Sequence, residues 1–541
     1  MTDRIPAKPA LFLLGLVLLA HLPALRAVDF HYDDGHSLVR NPHVKELANL
    51  PRFFVDPSLF SENPTDAMYR PVVLVAHALS QWLTPDSASG YLSLNLALHG
   101  AATLLLFRVL TVLLPGGGAL LGAVLFALHP LQTEVVNYVS ARSESLVAVG
   151  ILLAVLAFLR YRSSARTPWL WALAGGQLLA LGAKEVGVIT PLLLLTVQWL
   201  LPAGQRPAAR RVQMISVLML IPYLILYQSF RGNDTPLLRP VAAQLATQIK
   251  ALVHYLQAFF TPFDLSVAPQ FTPSASVLEA TVMLAAAALG SGGFLLWMGR
   301  QRFPELCLAA LWWLICLSPT LVVPLNVLVN DHRPYLALGG IALGAGSLMP
   351  RRPGRVGWIL KVGLCLVLVG LCWQRAADWR SEISLWEAAV REGPSVAAAH
   401  HNLAFAYHQE DRTELARQHY ERAVTLAPDY TRPLTNLGAL YRDAGELQLA
   451  EQVLLRAVRS DPGAVEPLNN LGLVYAAQGL WDQALRTYQA ALQSHPDVAE
   501  VWFNLGLAQR DAGSTQEAFQ SLQRALQLDP GIRQRLGPAG R

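Results

Sequence analysis

Residues 470–496 read NLGLVYAAQGLWDQALRTYQAALQSHP, and the pattern in this stretch recurs along the C-terminal part of the chain. Asn402, Asn436, Asn470 and Asn504 stand 34 residues apart, as do Ala423, Ala457, Ala491 and Ala525, and Pro428, Pro462, Pro496 and Pro530. Within the quoted unit Leu471, Gly472 and Tyr475 belong to a first helix, Ala484, Tyr488 and Ala491 to a second, and Pro496 closes the turn. Small residues let two helices approach and aromatics fill the remaining space, so the period predicts stacked helix pairs. Trp386, Ala389 and Pro394 lie one period before Tyr420, Ala423 and Pro428, which places a lone second helix ahead of four full pairs. The expected boundaries are a connecting half-repeat helix over 377–394, four repeats over 395–530 and a tail over 531–541.

This period resembles the tetratricopeptide repeat. Such arrays bind peptides or protein surfaces on their concave face and rarely do chemistry. An Asn precedes the Leu-Gly or Leu-Ala pair in every first helix, so Asn402, Asn436, Asn470 and Asn504 would form a ladder along the groove. A primary amide can pair with both N–H and C=O of an extended backbone, which suits sequence-tolerant peptide binding. The plainer alternative is that Asn is simply common at this repeat position.

Upstream the composition changes. The 541 residues are 53% hydrophobic and 15% charged, with a mean hydropathy of +0.35, which excludes a single water-soluble globule. Residues 1–376 carry 44 charged side chains with a net charge of +10, against 35 and −5 in the remaining 165 residues. The basic excess therefore sits on membrane loops, and a nucleic-acid partner is not expected. Cys307, Cys316, Cys365 and Cys372 all lie in apolar runs and read as packing residues rather than a disulfide or zinc framework.

A membrane helix needs about 20 apolar residues. Eleven segments qualify, near 9–27, 91–113, 117–131, 143–161, 168–183, 186–201, 211–230, 276–299, 303–325, 334–350 and 356–376. The first lacks a small-x-small cleavage site and is taken as an uncleaved helix. Pro71–Leu83 is short and bracketed by Arg70 and Asp86, so an interfacial or re-entrant segment is expected. With eleven spans, one side collects Arg4, Lys8, Arg108, Arg160, Arg162, Arg166, Arg206, Arg210, Arg211, Arg300, Arg302, Arg351, Arg352, Arg355 and Lys361 against Asp3 and Glu305. That side is cytoplasmic by the positive-inside rule, and the repeats fall on the other. In the long loop 231–275, Val241, Leu245, Ile249, Leu252, Leu256 and Phe259 recur at helical spacing with glutamines between them, predicting an amphipathic helix on the membrane surface.

The external side holds few polar residues, and ionisable groups at membrane depth are functional candidates. The first loop, 28–70, opens with His31-Tyr32-Asp33-Asp34-Gly35-His36. A solvated loop or helix cap is the bland reading of it. A metal site from His31, Asp33, Asp34 and His36 finds no supporting cluster of matching spacing, so no metal or other cofactor is expected. Three further interruptions fall on the same side: the polar stretch from His129 to Glu144, Lys184-Glu185, and Asp331-His332-Arg333. Arg142, Lys184 and Arg333 match what an anionic lipid phosphate requires; the alternative is mutual pairing with Glu134, Glu144, Glu185 and Asp331.

The Asp33-Asp34 pair, Tyr69-Arg70-Pro71, Leu94-Asn95 with Leu98-His99, Ala127-Leu128-His129-Pro130 followed by Glu134 and Arg142-Ser143-Glu144, Lys184-Glu185 and the terminal repeats occur in an order that resembles one family. It is that of the transmembrane, tetratricopeptide-repeat-containing protein O-mannosyltransferases, of the GT-C superfamily. The resemblance spans nearly the whole chain. It departs where the family's Arg-Tyr-Leu-Tyr appears as Arg333-Pro334-Tyr335-Leu336, and in having only four repeats.

The resemblance implies an all-α chain: a polytopic GT-C-like membrane domain over 1–376, then the solenoid. It implies an inverting transfer of a sugar, mannose in the family, from a polyprenyl-phosphate donor to Ser or Thr of a protein outside the cytoplasm. Asp33 or Asp34 would take the acceptor proton, with Asp33 favoured. Arg142, Lys184, Arg333, Glu134, Glu185 and His129 would hold the lipid-linked donor, and the Asn ladder the acceptor protein. The expected location is the bacterial inner membrane with external repeats, or the endoplasmic reticulum membrane with lumenal repeats in a eukaryote. Two alternatives remain: a GT-C enzyme acting on a lipid or polysaccharide, and a non-enzymatic scaffold.

Overall fold

The computed structural model describes residues 7–26, 29–63, 67–114, 117–199, 206–230, 239–323, 327–349 and 354–535. Asp3, Arg4, Arg351, Arg352 and tail residues 536–541 lie outside them. The protein is all-α: 78% is helical, and no strand occurs among the described residues. It divides into two compact units, 1–388 and 389–541.

The first unit is built from apolar helices whose charges are confined to their ends. Helix α1 covers Ala7–His21, α2 Pro71–Leu83, α3 Ala88–Leu113, α4 Gly118–Leu128, α5 Thr133–Asn137, α6 Arg142–Ser164 and α7 Pro168–Ala183. Then follow α8 (Thr190–Trp199), α9 (Arg206–Leu218), α10 (Leu220–Phe230), α11 (Val241–Phe260), α12 (Ala280–Gly299), α13 (Pro304–Val322), α14 (Ala337–Ser347), α15 (Arg355–Asp378) and α16 (Glu382–Glu392). Among the described residues seven helical segments are long and apolar enough to cross a membrane, or eight if the bent pair Gly118–Leu128 and Pro130–Asn137 counts as one. This is a multi-pass membrane protein. The expected segments at 168–183, 186–201 and 334–350 form shorter helices. The 52° bend at His129-Pro130 has a local cause: proline offers no N–H and pushes His129 into an extended conformation.

Helix α6 lies deepest, with 89% of its apolar window buried. It packs against α7 where Gly150 meets Gly176: an added Cβ on either would stand 2.5 or 2.6 Å from the other's carbonyl oxygen. Small residues at a crossing let apolar helices approach closely without a side-chain clash. Helix α11 forms over the amphipathic stretch, but two of its three glutamines face protein, while Gln257 is exposed. Gln244 and Gln248 are buried and donate to the carbonyls of Thr320 and Leu328, while Val241 and Phe260 are exposed. Buried amides without partners would be costly, and these two carbonyls meet the need.

The first loop is a chain of short turns pinned by Asn41. Its buried amide donates to the carbonyls of Ser37, Leu59 and Phe60 and accepts from the His43 N–H. Val44, Phe53, Leu59 and Phe60 pack with Leu74 and Ala78 of α2, fastening the loop to that 13-residue helix.

In the second unit four helix pairs follow one another: Ala397–Gln409 with Thr413–Leu426, Thr431–Asp443 with Leu447–Ser460, Val465–Ala477 with Trp481–Ser494, and Ala499–Asp511 with Thr515–Leu528. Ala416, Ala450, Ala484 and Ala518 are buried at equivalent positions, and Tyr420, Leu454 and Tyr488 fill the layer beside them. Each first helix ends in a left-handed residue, at Asp411, Gly445, Gly479 and Gly513. In the third pair Leu480 N–H donates to Tyr475 O and Gly479 N–H to Ala476 O, the Schellman arrangement, and Arg412 N–H donates equivalently to Tyr407 O. Asp411 takes the left-handed conformation at φ 57° without glycine's freedom. Asp411→Gly should therefore raise the stability of the repeat segment 389–541 by about 0.5–1 kcal/mol, and Gly479→Val should lower it by at least as much, both read as shifts in thermal midpoint.

Candidate functional site

The dipeptide Asp33-Asp34 splits into two roles by burial alone. Asp34 is buried at 1% exposure, and its carboxylate accepts from the Ser140 N–H at 2.8 Å, the Ser140 hydroxyl at 2.5 Å and the His31 N–H at 3.2 Å. Burial pushes its pKa up to about 6, opposed by those donors and by His31. The Asp33 side chain is half exposed, with its carboxylate 3.7 Å from His36 Nε2. Its N–H donates to the Tyr138 hydroxyl, and its carbonyl accepts from Ser37 Oγ. One carboxylate is thus used by the fold, and its neighbour faces outward.

The same segment is gripped from the far end of the unit. His31 Nε2 lies 2.9 Å from the Trp379 carbonyl, and its Nδ1 lies 3.4 Å from Glu382 Oε1. Tyr32 N–H donates to Glu382 Oε1 at 2.7 Å, and Trp386 Nε1 donates to Oε2 at 2.6 Å. Burial disfavours a charged His31, but Glu382, Asp34 and the Trp379 carbonyl outweigh it and raise the pKa. Trp379, Glu382, Ser140 and Tyr138 were not singled out as site residues by sequence reasoning. Glu382 and Tyr32 lie 350 positions apart, and no local pattern marks such a pair.

A second cluster gathers around His332. Its Nδ1 lies 2.6 Å from Glu134 Oε1, a contact that needs a proton between the two atoms. The charges of Glu144, Lys184, Arg333 and Asp33 all reach this imidazole, and burial holds its pKa down to about 3. Lys184 Nζ is 2.5 Å from Glu144. Arg333 donates to the carbonyls of Leu328 and Val327, neutral acceptors that leave its charge uncancelled. Asp331 accepts from the Ser266 N–H and lies 3.7 Å from Arg375; burial and the nearby Glu134 push its pKa up.

Other sequence candidates fall elsewhere. Arg142 is fully buried and donates to Asn95 Oδ1, the carbonyls of Ala76 and Tyr91 and the Ser80 hydroxyl, with His77 Nδ1 3.2 Å away. A guanidinium so enclosed braces α2, α3 and α6 and presents nothing to a lipid phosphate, which corrects its expected role. His129 is likewise buried, accepting from Leu131 N–H, stacked on Phe259 and 2.9 Å from its carbonyl. Glu185 pairs with Arg70 through both oxygens at 3.2 and 3.3 Å. In the solenoid Asn436 donates to the Tyr420 hydroxyl, Asn470 accepts from Arg442 and Asn504 donates to Asn469, so these three amides already serve the array; Asn402 is half-buried in the first pair. Among the described residues no group of three or more His, Cys, Asp or Glu is arranged to hold a metal.

If Arg142 is a brace, Arg142→Ala strands buried acceptors on α2 and α3 and should cost about 3–5 kcal/mol. Arg142→Lys should not rescue it, because an ammonium cannot reproduce the planar fork. A thermal melt in detergent checks this; a wild-type melt with lost donor binding would instead make Arg142 a ligand residue.

Residues 385–462 and 469–531 match family models described as tetratricopeptide repeat. A Caenorhabditis elegans protein named protein O-mannosyl-transferase is 26% identical over 77% of this chain, covering 62% of the relative. Human protein O-mannosyl-transferase TMTC1 is 33% identical over 29% of this chain and 18% of its own length, and the Drosophila melanogaster Tmtc1 is 31% identical over 35% and 23%. The chain spans less than two thirds of the length of each of these relatives. It is thus a tetratricopeptide-repeat membrane protein similar, over most of its length, to proteins named protein O-mannosyl-transferases.

Proposed function

We propose that this protein is an inverting glycosyltransferase that moves mannose from a polyprenyl-phosphate donor to Ser or Thr hydroxyls of proteins on the non-cytoplasmic side of its membrane. The observation that carries the reading is the half-exposed carboxylate of Asp33, held beside a buried and fully engaged Asp34 and within electrostatic reach of the His332 cluster with Lys184 and Arg333. The named relatives support the class of reaction.

The acceptor oxygen attacks the anomeric carbon as the bond from that carbon to the phosphate oxygen breaks. The hydroxyl proton passes to Asp33, and the electron pair leaves on the lipid phosphate. A phosphate is already a good leaving group, so it needs charge stabilisation more than protonation, and Lys184 and Arg333 supply it. Its exposure leaves the Asp33 carboxylate open to an acceptor hydroxyl, whereas Asp34 fixes the backbone that carries it. The repeats bring the acceptor protein, with the Asn ladder touching its backbone where the amides remain accessible.

In membranes, Asp33→Asn should lower transfer by about 10²–10⁴ with protein abundance unchanged. Asp34→Asn, which sets an amide against the His31 N–H, should cost about 1–3 kcal/mol of stability and a smaller part of the rate. Full activity in Asp33→Asn with none in a well-folded Asp34→Asn would reverse the two roles. Deleting 395–541 should weaken transfer to a protein acceptor while sparing transfer to a short soluble peptide.

A further inference from the structure

Tyr32 stands directly before the proposed base, and its backbone is left-handed at φ 50°. A tyrosine adopts that conformation only where surrounding contacts impose it. Here one side chain supplies several of them. Glu382 Oε1 accepts the Tyr32 N–H at 2.7 Å and faces His31 Nδ1 at 3.4 Å, and Oε2 is fixed by Trp386 Nε1 at 2.6 Å. The ring of Trp386 meets that of Tyr32 edge-on at 5.5 Å, and Trp379 packs against both His31 and Tyr138. Residues 31–34 are thereby held between the 379–386 segment on one side and Tyr138 to Ser140 on the other.

We infer that Glu382 is a positioning residue, whose carboxylate holds Tyr32 and His31 so that Asp33 points at the acceptor hydroxyl. It touches no reacting atom and acts through the backbone of Tyr32. The inference rests on the transferase reading above and deepens it, since the residue lies on α16, which continues into the repeats rather than belonging to a membrane span.

The arrangement has an electrostatic signature. His31 is faced by Glu382, Asp34 and the Trp379 carbonyl; Asp34 is faced by His31 and Ser140, with Tyr138, Asp33 and His36 nearby. Glu382 favours the protonated imidazole, and a protonated His31 in turn lowers the pKa of Asp34. Removing the Glu382 charge therefore lets His31 lose its proton earlier and moves Asp34 protonation to higher pH.

The test uses full-length protein in membranes, polyprenyl-phosphate mannose, and a Ser/Thr peptide, with kcat and KM measured from pH 5 to 8. Glu382→Gln keeps an oxygen for Tyr32 N–H but loses the charge. It should lower kcat about tenfold, the scale of a charge-assisted against a neutral hydrogen bond, with KM for both substrates nearly unchanged. The acid limb of kcat should move to higher pH by about one unit, and Glu382→Asp should return it. Wild-type kcat and an unmoved acid limb in Glu382→Gln would overturn the inference. So would a loss of rate that tracks loss of folded protein with the limb unmoved, since that marks a merely structural contact. Asp33→Asn in parallel separates the levels: if it is inactive beside wild-type Glu382 variants, only the positioning role fails, and if it is active, both fail.

Discussion

The bond that the site depends on is that between the buried carboxylate of Asp34 and the Ser140 turn. A carboxylate at 1% exposure would be expensive without partners, and Ser140 supplies an N–H and a hydroxyl at 2.8 and 2.5 Å. That contact ties the first loop to the turn that opens α6, the deepest helix of the membrane unit. Burying Asp34 turns the adjacent side chain the other way, so a solvent-facing Asp33 follows from the same bond. Two identical residues in sequence take opposite environments because one is consumed by structure.

Charge placement in the rest of the membrane unit follows the same rule. Arg142 sits among carbonyls, an amide and a hydroxyl; Lys184 is matched by Glu144, and Arg70 by Glu185. In a setting with little water such groups persist only when their hydrogen-bonding capacity is met, and the helices they join become fixed relative to one another. Lys184 and Arg333 keep partial access and lie near His332. Of the cations read as a phosphate site, burial separates the brace from those that remain near the cluster.

The repeats were legible to the residue because their logic is local: a period of 34 places small and aromatic residues at fixed offsets, and the helix pairs follow. The apolar helices were legible as a class for a similar reason. Their lengths were less so, since Pro130 bends one apolar run and the chain breaks others into pieces too short to cross on their own. At α11 the apolar stripe marked the helix, but it did not say that Gln244 and Gln248 would meet protein. At the site, the residue types were visible but not their roles. Arg142 and Arg333 look alike in sequence, and only burial distinguishes them; Glu382 has no signal until the chain brings it to Tyr32.

The central claim is a single displacement at the anomeric carbon with Asp33 as base. Stereochemistry tests it most directly. Purified full-length protein would be given β-linked polyprenyl-phosphate mannose and a Ser/Thr peptide, and the anomeric configuration of the product read by NMR alongside release of polyprenyl phosphate. The account predicts an α-linked mannosyl peptide with one lipid phosphate released per sugar transferred. A β-linked product, or peptide glycosylation without lipid phosphate release, would contradict it.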